Sequence, residues 1–355
     1  MKIINSGFKE LYNTNPQKHI EAIARVCYKS EDKIDYNDDT KRNKLLNSLY
    51  KSGHHAMLEH FIFIYEVPSR LYYRLKEQTV ENSLRFFRFT FNRQTGKHII
   101  SFSARSVIDL YFKNINESPI IEDIKNLRDK VILDYNCFEI FGVDREETLK
   151  INDECKPLHT SELNRYERKI HGWRTIKFIC DRGVSHEIVR HRDASFAQES
   201  TRYCNYSNDK FGNELTFIKP CFWDETSDEY KAWFSAVNFE ESKYFNLLEM
   251  GAEPQEARSV LPNSLKTEIV MTARNDSWMH FFKLRCDNTA HPQMREIAIP
   301  IFNYFVVRDN SLFNRKTIKF TCKENEKMKQ IRDASHKLTG SVSLIDGHID
   351  STERP

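Results

Sequence analysis

Arg190-His191-Arg192-Asp193-Ala194-Ser195-Phe196-Ala197-Gln198-Glu199-Ser200-Thr201-Arg202-Tyr203 is the densest patch of chemistry in the chain. Three arginines fall within 13 residues, with hydroxyls, an amide and acidic groups between them. Guanidinium groups suit phosphates because they form bidentate, charge-assisted bonds. Read as a helix, the segment points Arg190 and Arg192 about 200° apart, so they serve different partners. One would meet a substrate phosphate and the other a cofactor. A basic, solvated helix end is the competing reading.

Working outward, residues 172–182 (GWRTIKFICDR) alternate as a strand, with Ile176, Phe178 and Cys180 set against Lys177. Gly183 punctuates the run, and Ser185 is expected to cap a helix that carries Ile188 to Arg192. His186-Glu187 followed by His191 is one residue too long for a zinc-binding HExxH. On a helix the two imidazoles would lie about 140° apart, so no metal is expected there. Downstream, the pattern predicts helices over 225–251, from Pro254 to before Pro262, and over 264–285 and 290–307. The third of these holds Arg274-Asn275-Asp276, His280 and Leu284-Arg285. Its arginines are either paired structurally or face a ligand pocket.

Toward the N-terminus, residues 16–30 and 40–52 read as helices. Residues 52–60 (SGHHAMLEH) form a turn and loop whose His54, His55, Glu59 and His60 suit ligand hydrogen bonding or a structural role. His60–Val67 (HFIFIYEV) is apolar at both parities, as in a strand covered on both faces. Residues 68–171 mix charged helices (120–140, 144–150) with a strand near 97–103. They read as an insertion or accessory lobe in which no motif carries visible chemistry. A catalytic domain of residues 1–67 and 172–334 and a mobile polar tail, 335–355, complete the expected organisation.

Composition bounds the function. The 355 residues are 39% hydrophobic and 30% charged, as in a soluble globular protein. No run of about 18 apolar residues and no signal-peptide h-region is seen, so a cytoplasmic protein is expected, without a membrane partner. A net charge of +3 is too small to argue for duplex binding. Eight dispersed cysteines with no CxxC pair read as free thiols. Neither GxGxxG nor GxxxxGK[ST] occurs, so a bound nucleotide would have to be held by arginines or other helix N-termini.

At this point a resemblance becomes specific. Arg190-His191-Arg192, seven residues, then Ser200-Thr201-Arg202 matches the RHRx7SxR signature of flavin-dependent thymidylate synthases. Gly53-His54 through Glu59-His60-Phe61 resembles that family's GHxxxxEHxxF segment. Ala257-Arg258 with Leu261-Pro262 resembles its ARxxLP segment, and Leu284-Arg285 with Ala290 its LRxxxxAQ segment. The resemblance covers roughly 1–67 and 172–310. It implies an α+β fold with a central, largely antiparallel sheet flanked by helices, interrupted by a long mixed insertion after the first core strand. It also implies a homotetramer with shared active sites that converts dUMP to dTMP with 5,10-methylene-tetrahydrofolate, NADPH and bound FAD.

By the same resemblance, Glu187, Arg190, Gln198, Glu199, Ser200, Thr201, Arg202, Arg258 and Arg285 line dUMP. His54, Ala56, Glu59, Arg190, His191, Arg192, Gln198, Arg274, Asn275, Asp276 and His280 approach FAD. The sequence departs from common family patterns at 187, 198, 274, 280 and 291. Arg285 matches the activating arginine, expected to stabilise charge as nitrogen 3 of uracil ionises and so make carbon 5 nucleophilic. The sole Pro-Cys, Pro220-Cys221, is followed by Phe222, so a cysteine nucleophile has no adjacent histidine to activate it. Two other readings stay open. One is a flavin- or nucleotide-binding homologue without synthase activity. The other is a nucleic-acid-binding protein using 190–202, which would bind DNA or RNA with strong salt dependence.

Overall fold

A computed structural model describes residues 1–35, 37–81, 87–113, 120–149, 154–201, 206 and 213–321. Arg202, Tyr203 and the tail expected at 335–355 lie outside the described residues.

The chain begins with two strands, β1 (Lys2–Ile4) and β2 (Gly7–Leu11). Helix α1 (Pro16–Tyr28) starts where sequence predicts it. Asn15 caps it by accepting from the Lys18 amide at 3.0 Å, and Pro16 fixes its first turn. α2 (Asp39–Lys51) is capped by Asp38 and ends at Gly53, whose φ of +74° suits glycine. A 3-10 turn, His55–Glu59, leads into β3 (Ile62–Val67).

Then follow α3 (Ser69–Glu81), β4 (Arg88–Phe91), β5 (His98–Ser103), α4 (Ala104–Lys113), α5 (Ile120–Tyr135) and α6 (Phe138–Phe141). The helix expected over 120–140 breaks at Asn136, which takes a φ of +49°. Residues 144–149 form turns instead of the expected helix, with Arg145 paired to Glu139 at 2.8 Å. β6 (Lys156–Pro157), α7 (Arg165–His171) and β7 (Trp173–Asp181) return the chain to the predicted strand.

α8 (Arg182–Ile188) is capped by Asp181, which accepts from the Val184 amide at 2.7 Å; Ser185, the expected cap, lies inside the helix. α8 stops before Arg190, so Arg190 and Arg192 sit in a turn and not on a helix. That turn feeds β8 (Ala194–Gln198), a strand the sequence did not announce. β9 (Thr216–Ile218), α9 (Asp228–Glu249) and α10 (Pro254–Ala257) follow. The helix expected over 264–285 is instead β10 (Lys266–Arg274) and α11 (Asn275–Arg285), and α12 (Pro292–Arg308) succeeds them. Every residue of β10 after Lys266 is buried, so no polar face marks the strand's period, while Thr267, Ile269, Val270 and Thr272 supply β-branched side chains.

These strands make an α+β fold. The central sheet is antiparallel throughout, in the order β2-β7-β10-β8. One face is covered by α11 and α12 through Trp278, Phe281, Phe282, Phe302 and Phe305, all at most 1% exposed. On the other face Ile23 and Val26 of α1 meet Ala197 and Val270. Each such side chain contributes about 1.5–3 kcal/mol by leaving water. β3 does not join this sheet. It pairs antiparallel with β5 on one side and β6 on the other, in a second sheet ordered β4-β5-β3-β6. β1 and β9 form a parallel pair.

The two sheets meet at α7. The Asn275 amide N–H donates to the Gly172 carbonyl at 2.8 Å, and its side chain donates to the Arg168 carbonyl at 2.9 Å. A Cβ on Gly172 would fall 2.5 Å from the Arg168 carbonyl oxygen and from the Asn275 side chain, so this junction requires glycine.

Candidate functional site

β8 and the turn ahead of it place Arg190, His191, Arg192 and Gln198, and three groups of predicted residues form around them. The first surrounds Arg285 at the end of α11. Its Nη1 pairs with a Glu187 carboxylate oxygen at 2.7 Å and its Nη2 donates to the Glu187 carbonyl at 3.0 Å. Its Nε donates to His191 Nε2 at 2.9 Å. A guanidinium has no acceptor, so His191 must be the neutral tautomer protonated on Nδ1. Burial, with Arg285 and His280 nearby, pushes the His191 pKa down to about 4. His280 and Phe281 pack on the His191 ring at 6.0 and 4.9 Å. Arg190 and Arg192 are exposed beside this group, and Arg190 makes no ion pair among the described residues.

The second group lies at the other end of β8. Glu199 is 3% exposed and accepts from Lys266 at 3.0 Å and from the Glu268 amide at 3.2 Å. Glu268 pairs with Lys266 at 2.7 Å, Lys177 at 2.8 Å and Lys29. Burial alone would raise the Glu268 pKa, but Lys266, Lys29 and Lys177 outweigh it and hold the carboxyl far below the ordinary range. Beside this cluster, Gln198 donates to Ser185 at 3.0 Å and Thr267 at 3.2 Å. The Ser200 amide donates to the Cys27 carbonyl at 3.2 Å, and Arg258, exposed, donates to Thr201 at 3.2 Å.

The third group sits where the two sheets meet. Glu59 accepts from Ser195 at 2.8 Å and from Arg105 at 2.5 Å. Asp193 accepts from Arg88 and from the Ser277 hydroxyl, each at 2.7 Å. Arg274 is 5% exposed, and burial, with Arg88 beside it, lowers its pKa to about 10 against the pull of Asp193 and Asp276. Burial raises the Asp276 pKa. His54 and Ala56 are exposed on the approach, with His54 Nδ1 3.3 Å from the Tyr28 hydroxyl.

The structure therefore brings Glu187, His191, His280 and Arg285 together. It sets Glu199 within a buried ion network and gives Asn275 a role at the sheet junction. Lys29, Lys177, Lys266, Arg88 and Arg105 carried no sequence signal for their pairing across the site, because Glu199, Glu268, Asp193 and Glu59 meet them mainly from distant parts of the chain.

Residues 10–76 and 171–307, more than half of the chain, match the family model described as thymidylate synthase complementing protein. The chain belongs to the thymidylate synthase complementing protein family. Among similar proteins, the flavin-dependent thymidylate synthase of Pyrococcus furiosus is 31% identical over 131 residues, 37% of this chain and 53% of that one. The flavin-dependent thymidylate synthase of Geobacter sulfurreducens is 34% identical over 118 residues, 33% of this chain and 49% of that one. The one of Synechocystis is 30% identical over 140 residues, covering 37% and 65%. The chain spans about half the length of the first of these curated relatives. The family match omits 77–170, so Arg88 and Arg105 lie outside the matched family segments. Among the described residues, no helix of this family member is long and apolar enough to cross a membrane.

Proposed function

We propose that this chain makes dTMP from dUMP, taking the one-carbon unit from 5,10-methylene-tetrahydrofolate and reducing equivalents from NADPH through FAD. The observation that carries the reading is Arg285, anchored by Glu187 and His191 in a chain of this family. Its relatives named flavin-dependent thymidylate synthase support the same activity.

Methylation at carbon 5 of uracil requires that carbon to become nucleophilic. In this reading Arg285 stabilises the negative charge that develops as nitrogen 3 loses its proton. A preorganised guanidinium shielded from water can contribute several kcal/mol to such a charge. The neutral His191 adds no competing positive charge and holds Nε of Arg285 in place. Arg190, Thr201 and Arg258 suit the nucleotide phosphate, together with Gln198, Ser200 and Arg202, the last outside the described residues. We assign Glu199 to the support of this edge.

FAD brings a diphosphate and a ring rich in hydrogen-bonding groups. The residues present fit it, since Arg190, Arg192, His54 and His280 are exposed and Asp276 is partly buried, offering cations and hydrogen-bonding groups to such a ligand. Bound and reduced, the flavin would supply the hydride. The homotetramer, with active sites completed by neighbouring copies, and a catalytic unit interrupted by residues 68–171 belong to the same proposal.

The test is direct. Purified protein should take up FAD and form dTMP when given dUMP, methylene-tetrahydrofolate and NADPH. Protein that takes up no flavin and yields no dTMP would end this reading. One observation favours a second reading, a nucleotide- and flavin-binding homologue without synthase activity: Glu187 already engages the Arg285 guanidinium. FAD reduction by NADPH with no dTMP would select it.

A further inference from the structure

Two arginines from the stretch that the family match omits reach into the candidate site. Arg88, on β4, bridges both carboxylate oxygens of Asp193 with one Nη2 at 2.7 Å. The Ser277 hydroxyl, in the first turn of α11, holds the same carboxylate at 2.7 Å. Arg105, on α4, grips Glu59 at 2.5 Å, and the other Glu59 oxygen accepts from Ser195 at 2.8 Å. Asp193 lies in the bend just before β8, and Ser195 is the second residue of that strand. The stretch thus fastens the entry to β8 at two points, directly at Asp193 and through Glu59 at Ser195.

Asp193 immediately follows the turn that presents Arg190 and Arg192. We propose that Arg88 is a positioning residue: by fixing Asp193 it keeps that turn open and its arginines directed at an anionic ligand. The inference rests on the flavin reading of the site. Arg88 and Asp193 are 26% and 45% exposed, and pairs so exposed contribute little to stability. Without Arg88, the Asp193 carboxylate would lose its direct ion pair, with buried Arg274 left to balance it at longer range, and its charge would fall on the turn that carries Arg190 and Arg192. The Asp193 pKa agrees with this coupling. Burial would raise it, yet Arg88 and the Ser277 hydroxyl hold it below the usual carboxylate range.

The experiment is FAD titration of the full chain by flavin fluorescence, with thermal melting in parallel. The wild type is measured first, and its failure to bind FAD would sink the flavin reading before the variants are compared. If it binds, Arg88→Ala should weaken FAD about tenfold, as expected for one lost charge contact, with little change in Tm. Arg88→Lys keeps the charge that bridges Asp193 and should recover most of the affinity. Wild-type affinity in Arg88→Ala would overturn the proposal. So would a loss that follows the fall in Tm and is not recovered by lysine. Should Arg88→Ala not fold, Arg88→Gln replaces it, and equal affinity in the Gln and Lys variants overturns the proposal.

Discussion

Two sets of charges flank β8, and they are built on opposite principles. Around Glu199 and Glu268, Lys29, Lys177 and Lys266 are matched by these two carboxylates and by Glu31, with side chains 2–32% exposed. Around Arg285, Glu187 faces Arg285 while Arg190 and Arg192 stand exposed in the same turn. The first set is closed and has little charge left for a ligand. The second presents Arg190, which makes no ion pair among the described residues, at the surface, the arrangement that attracts an anion. One sequence segment, 190–202, feeds both, so density of charged residues alone does not separate framework from site.

The comparison can be broken at either end. Glu268→Gln should cause the largest effect, because three largely buried lysines lose a shared carboxylate and keep Glu199 and Glu31, at a cost of about 3–5 kcal/mol in urea denaturation. A loss below about 1 kcal/mol would mean the network is not closed. Its pH dependence follows from the depressed Glu268 pKa. That contribution is present above the ordinary carboxylate value of about 4.3 and fades as pH falls toward the folded value.

On the open side, Arg285→Ala should lower dTMP formation by about 10²–10³-fold while FAD remains bound. Near-normal turnover in this variant would remove Arg285 from the mechanism.

A third measurement sets His191, beside Arg285, against histidines buried elsewhere in the core. Burial above all lowers the pKa of His19 and His191 to about 4 and of His60 and His171 to about 3. The unfolded chain takes up these protons near pH 6.5, and the native chain only near 3–4. Their stabilising contribution is therefore full above about pH 6.5. It falls as pH drops toward 4, by up to about 1.4 kcal/mol per unit for each group. Denaturation at several pH values should show this slope, and His171→Asn should reduce it by one proton; an unchanged slope would contradict the assignment.

Asn275→Ala should cost about 1–3 kcal/mol through the lost bond to the Arg168 carbonyl, read by thermal melting. Arg190→Ala should give the smallest stability change, within about 0.5 kcal/mol, and yet weaken FAD or dUMP in a binding titration. Unchanged affinity for both ligands would show that exposed charge at this turn has no part in binding.

Much of this was legible in the sequence, for reasons that particular residues make plain. α1 and α2 announced themselves through apolar residues at helical spacing, while their caps, Asn15 and Asp38, emerged only in the structure. β7 showed its alternation. β10 did not, because burial on both faces erased the contrast on which periodicity depends. β8 was hidden for the opposite reason, since Ser195, Gln198 and the arginines before it look like helix-end polarity until Ala194 and Ala197 are seen to pack. The signature residues were readable as chemistry. Their supports were not: Arg88 meets Asp193 across 105 positions and Arg105 meets Glu59 across 46. Such pairings exist only once the second sheet has formed.

That second sheet also limits how the protein could be shortened. β3 has β5 on one edge and β6 on the other, both supplied by residues that the family match omits. Excising 77–170 as a cassette would bare both edges of a six-residue strand in which only Glu66 is not buried. Bare, apolar strand edges recruit other chains. A trimmed version would therefore be expected to aggregate before its catalysis could be assayed, unless a substitute hairpin were grafted alongside Ile62–Val67.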